Sequence, residues 1–209
     1  MVSSVGRVLR YLCFFIAVSV PAVFVALMTF HPQLLPTSFS LSVAQLRGGV
    51  PLPTVAECLI LILVFEILKE TGVRTPQSLG HALSIVGGLV VGQAAVEARI
   101  ISAPMLIAVA LSGISGLMVP RLKGVVFYMR IVLVLAVSVA GLYGYLAAVC
   151  ALVCEIFTIR SFGVDYTASA RRFRFQDFKD SIIRAPWYDM LRRPVFNKNI
   201  FRMSGGRRR

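Results

Sequence analysis

Tyr11–Phe30, YLCFFIAVSVPAVFVALMTF, is an apolar run of 20 residues with no charged side chain. A helix needs about 20 such residues to cross the roughly 30 Å hydrocarbon core of a bilayer. Arg7 and Arg10 precede the run. Cationic flanks favour the cytoplasmic side, so the stretch reads as an anchor entering the membrane from the cytoplasm. It is longer than the apolar part of a secretory leader and lacks a small-x-small cleavage site, which disfavours a cleaved signal.

Outward from this anchor the pattern continues. Residues 125–158 form an apolar run of 34 residues containing Arg130, Gly141, Gly144 and Glu155. At about 1.5 Å per residue this is too long for one untilted crossing. Either its first part lies in the interface or it makes a tight hairpin near Gly141 and Gly144. Residues 31–54 read as a loop, punctuated by Pro32, Pro36, Gly48, Gly49, Pro51 and Pro53. Thr54-Val55-Ala56-Glu57 reads as a capping box that gives Glu57 a structural task. The helix it opens, Val55 to Lys69, is expected to be about 22 Å long, short of a full crossing. Thr75-Pro76 opens the stretch HALSIVGGLVVGQAAVEA, His81 to Ala98. Ser102 and Pro104 start another helix, running to Pro120. The predicted fold is an all-α, polytopic helical membrane protein. About four crossings plus one short or re-entrant helix are expected, with six short crossings as the alternative.

Charge supports the same division. Lys and Arg number 22 against nine acids, and residues 160–209 hold 13 of those cations and four of the acids. The chain therefore divides into a transmembrane helical domain, 1–159, and a basic cytoplasmic tail, 160–209. In the tail Phe175, Phe178, Ile182 and Ile183 recur at helical spacing among charged residues, the pattern of an amphipathic helix on a membrane surface. The positive-inside rule explains this basic surplus directly, so nucleic acid is not an expected partner. Cys13, Cys58, Cys150 and Cys154 all lie in apolar segments and read as small buried hydrophobes. His31 and His81 have no metal-ligand spacing, and no nucleophile elbow, P-loop or dinucleotide fingerprint occurs. Neither an enzyme nor a cofactor or metal site is expected.

Three segments carry small residues every fourth position: Gly80, Ser84, Gly88 and Gly92; Ala108, Ser112 and Gly116; Ala140, Gly144 and Ala148. Such stripes let membrane helices approach closely. Around the glycine-bearing helix, at about 100° per residue, Val86, Val90, Gln93 and Glu97 fall opposite the small stripe. A valine constriction followed by a polar pair fits a pore helix in a ring of protomers, with Val86 and Val90 as gate and Gln93 and Glu97 as pore-lining groups. The competing readings give the valines to lipid or packing contacts, and Glu97 to a helix end beside Arg99.

LMTFHPQLLPTSFSLSVAQLRGGVPLPTVAE (27–57), FEILKETGVRTPQSLGHALSIVGGLVVGQAAVEARIISAPM (65–105) and IRSFGVDYTASARRFRFQDFKDSIIRAP (159–186) resemble the A subunit of GerA-type spore germination receptors. The likeness runs from about Arg7 to Pro194 with its order preserved, and a related protein of the stage V sporulation genes shares this region. The resemblance implies a spore inner-membrane subunit that works with B and C subunits in nutrient-triggered germination. It also implies a homo-oligomeric, ligand-gated ion channel with the glycine-bearing segment at its pore. Members carry a soluble domain ahead of the first span, whereas here only about ten residues precede it; the expectation is a chain lacking that domain. A non-conducting assembly subunit and a secondary transporter stay open as alternatives. No inverted repeat favours the transporter.

Overall fold

The structure, a computed structural model, describes residues 2–74, 88–161 and 164–165. They form helices α1 (Val2–Thr29), α2 (Thr37–Arg47), α3 (Thr54–Arg74), α4 (Gly88–Glu97), α5 (Ala103–Leu117) and α6 (Lys123–Thr158). Pro32 and Pro120 each open a short 3-10 turn. Beyond α6, Arg160–Ser161 (β1) pairs antiparallel with Val164–Asp165 (β2). The chain forms two compact units, Leu12–Cys150, and Met1–Tyr11 with Ala151–Arg209. The polar nodes and the helix face described below lie in the first.

Helix ends follow local chemistry. After α1, Phe30 and His31 both donate to the Ala26 carbonyl before Pro32 stops the helix. After α2, Gly49 takes φ +93°, a conformation that glycine reaches without a Cβ penalty. Helix α5 ends ahead of Pro120, whose ring pushes Val119 out of helical geometry (φ −125°).

Helix α3 has 21 residues, not the half-helix expected from Val55 to Lys69, and is about 31 Å long at 1.5 Å per residue. Glu66 and Lys69 read as the helix end, yet they pair at 3.2 Å within it, an i,i+3 contact that helical geometry favours. Helices α3 and α5 run side by side in the same direction. Glu57 at the start of α3 meets Ser102 at the start of α5. Eleven residues further along α5, a Cβ on Gly113 would touch Phe65 and Lys69.

The 34-residue apolar run is broken. Within α6, Ala140 (φ −130°, ψ 15°) and Gly141 (φ 58°, ψ −134°) leave helical geometry. A Cβ on Gly144 would collide with the carbonyl oxygen of Ala136. In a straight helix residues eight apart are about 12 Å apart along the axis, so the chain folds back here. Gly141 cannot be replaced freely: its φ is positive, and a Cβ would sit 2.8 Å from Phe30. Side-chain reach gives the same answer. Arg130 and Tyr145 would be about 22 Å apart on a straight helix, yet they bond to Ala17 and Ser19 on one turn of α1. The expected hairpin near Gly141 and Gly144 is therefore present. The stripe Ala140, Gly144, Ala148 is corrected: Ala140 stands at the break, so these residues do not share one helix face.

The core is mainly apolar, but buried polar groups sit inside it while large apolar side chains lie on the surface. Buried side chains include Arg130, Glu57 and Ser112, each 0% exposed, while Ile107, Leu111, Ile114, Val139 and Tyr143 are exposed. Ionisable groups turned inward and large apolar side chains left on the outside are expected of a helix bundle against lipid. Ser4–Thr29 and Pro120–Thr158 are long and apolar enough to cross a membrane, and less than half of each is buried. The expected tail helix, Phe175 to Ile183, lies outside the described residues.

Candidate functional site

Two features have chemical potential: a buried polar node, and the outer face of α4. The node begins with Pro21, which has no N–H to donate to the carbonyl four residues back, that of Ala17. An unpaired carbonyl inside a bilayer is costly. Ala17 is therefore served from outside its helix, by Ser112 Oγ of α5 at 2.6 Å and Arg130 Nε of α6 at 3.0 Å. Arg130 Nη2 also donates to the Ser112 carbonyl at 3.3 Å. Close approach is possible because the facing residues are small: a Cβ on Gly116 would lie 3.6 Å from Arg130 Nη2 and 3.9 Å from the Ala17 Cβ. The stripe Ala108, Ser112, Gly116 thus packs α5 against α1 and α6. Two residues further along α1, Tyr145 OH donates to Ser19 Oγ at 2.8 Å.

A second node joins α2, α3 and α5. Glu57 Oε1 accepts from both the backbone N–H of Ser102 (2.6 Å) and its hydroxyl (2.5 Å). Arg47 Nη2 stands 3.8 Å from Glu57 Oε2 and donates to Thr54 Oγ1 at 2.6 Å. The capping box expected at Thr54–Glu57 is corrected: the Glu57 side chain caps α5, not its own helix. Its task is structural, as expected, but its partner is 45 residues away.

Helix α4 holds the described part of the predicted pore helix. Gly88, Gly92, Ala95 and Val96 are half-buried and fall within an arc of about 100°. A Cβ on Gly92 would rest 3.6 Å from Leu106 of α5, so this small face is the one turned inward. Val90, Gln93 and Glu97 share the opposite, exposed arc, with Val90 55% exposed. Val86, Gly80 and Ser84 lie outside the described residues. Among the described residues no cluster of His, Cys, Asp and Glu is arranged to hold a metal ion.

Reasoning from the sequence alone missed the Arg130 node. Its signal was a proline inside the first apolar run together with a lone arginine inside the last. The first frees a carbonyl and the second needs acceptors.

Comparison with known proteins places these features in context. Residues 1–196 match the family model described as Bacillus/Clostridium GerA spore germination protein. The chain is 41% identical over 190 residues to spore germination protein KA of Bacillus subtilis, covering 90% of this chain and 35% of that protein. It is 40% identical over 196 residues to the uncharacterized membrane protein YfkQ of the same organism, covering 93% and 38%. Against spore germination protein GerLA of Bacillus cereus the identity is 36% over 198 residues, covering 92% and 40%. The chain spans about two fifths of the length of these relatives. No solved structure matches it.

Proposed function

The chain belongs to the GerA family of spore germination proteins, and on that premise we propose that it is the membrane region of a receptor A subunit that assembles into a nutrient-gated cation channel. It sits in the spore inner membrane with its C-terminus cytoplasmic, and its partners are the receptor's B and C subunits, further copies of itself and the bilayer. Helix α4 of each copy faces a central aqueous path. Val86 and Val90 narrow that path until it dewets, and Gln93 and Glu97 form polar rings beyond, the carboxylates favouring cations. Nutrient binding at a partner shifts the ring toward the open state, and monovalent cations leave the spore core.

The observation supporting this reading is the two-sidedness of α4. Gly92 of its small face lies against Leu106 of α5, while Val90, Gln93 and Glu97 stay exposed. An exposed carboxylate on an apolar helix needs water or a partner, and a pore supplies water. Reconstitution of the purified chain in potassium-loaded liposomes tests the proposal. Potassium efflux that does not saturate with concentration supports the channel. Saturable, substrate-coupled flux supports a transporter, and silent vesicles whose protein still binds B and C subunits support an assembly role.

A further inference from the structure

Arg99 takes φ +52° and is, among the described residues, the one non-glycine residue with a positive φ. It stands just beyond α4, where its N–H donates to the Val96 carbonyl at 3.0 Å. The N–H of Ile100 donates to the Ala95 carbonyl, also at 3.0 Å. These two bonds make a Schellman cap, whose left-handed residue is usually glycine. A side chain at that position crowds its own backbone. Strain of this kind persists only where surrounding contacts hold it in place.

Two contacts do so. A Cβ on Gly49 would lie 3.3 Å from Arg99 Nη1 and 3.4 Å from its Cδ, so the Arg99 side chain lies across the Gly49 backbone. Gly49 itself has φ +93°, in the connection between α2 and α3. Three residues beyond Arg99, Ser102 is held by Glu57 in the first turn of α3. Arg47, at the end of α2, stands 3.8 Å from that carboxylate and donates to Thr54. Ile101, between the two contacts, is buried. The α4–α5 turn is thus gripped at both ends by the α2–α3 connection and the helix that follows it.

We propose that Arg99 is a positioning latch: lying over Gly49, it fixes the α4–α5 turn and with it the direction of α4. Glycine at 99 would cap α4 with less strain but would leave Gly49 uncovered. A displacement of the α2–α3 connection is carried to α4 through Arg99 and Ser102 together. Coupling between elements travels through contiguous contacts of this kind. The latch does not depend on α4 lining a pore.

Spin labels at Ala94 of α4 and Leu63 of α3, both exposed, test this by dipolar spectroscopy. The full chain is used in nanodiscs, with its native cysteines replaced. The parent protein should give one narrow distance distribution. Arg99→Gly should bring up a second population of about 10% or more, while Tm stays within about 4 °C. Gly49→Ala, whose Cβ presses on Arg99, should bring up the same population. In the Arg99→Gly background the Gly49→Ala change should add nothing to it. Two results would overturn the latch. An unchanged distribution in Arg99→Gly would make Arg99 a strained cap and no more. Additive effects of the two substitutions would confine the role of Gly49 to its own turn.

Discussion

Arg130 of α6 donates from Nε to the carbonyl oxygen of Ala17 in α1 at 3.0 Å, and that carbonyl is the one Pro21 deprives of a helical partner. A proline that weakens one membrane helix thereby supplies the acceptor that docks two others. The exchange fits a bilayer interior, where no water is at hand to serve a freed carbonyl.

The Arg130→Gln variant should destabilise the chain by about 1–3 kcal/mol, the cost of leaving a buried partner unsatisfied. Pro21→Ala restores an N–H to the Ala17 carbonyl, so the same Arg130 change should cost less in the Pro21→Ala background. A double-mutant cycle by denaturant titration in mixed micelles measures the coupling. Additive costs would mean that Arg130 does not act through Ala17.

Glu57→Ala should cost about 2 kcal/mol, because the backbone N–H and hydroxyl of Ser102 both lose their acceptor. Glu57→Gln keeps one carbonyl oxygen and should cost less. Equal losses in the two variants would show that charge, and not the capping geometry, carries the effect.

Gly141→Ala should cost about 2 kcal/mol or more, from a positive φ and from contact with Phe30. Phe30→Ala relieves the contact but not the backbone strain, so rescue should be partial. Full rescue would place the whole cost on packing.

Val86→Ala, in spores whose receptor A subunit carries this membrane region, should widen the constriction and give germination without nutrient. Germination counts in buffer, with and without the substitution, read this directly. Unchanged, strictly nutrient-dependent germination in Val86→Ala and Val90→Ala would remove the gate from these two residues.

Much of the fold was legible because membrane length and apolarity are local properties. Tyr11–Phe30 and residues 125–158 declare themselves by composition, and the second run is too long for one crossing unless the glycines at 141 and 144 turn it. The pairing of helices was not legible. Thr54 and Glu57 have the spacing of a capping box, yet a residue 45 positions away competes for the same carboxylate and wins. Helix α3 was read too short because Glu66, Lys69 and Glu70 look like a terminus, while a Glu66–Lys69 pair lets the helix continue. At α4 the amphipathic pattern identified which residues share a face. Which face packs inward became visible only with Leu106 beside Gly92.

The most direct test is cysteine scanning of Gly88–Glu97 in potassium-loaded proteoliposomes. The four native cysteines, of which Cys150 and Cys154 are exposed, are replaced first. A charged thiol reagent should cut potassium efflux when the cysteine stands at 90, 93 or 97, and leave it unchanged at 92 or 95. Efflux that is absent throughout, or blocked at 92 and 95 but not at 90, 93 and 97, would contradict a conducting path along this face of α4.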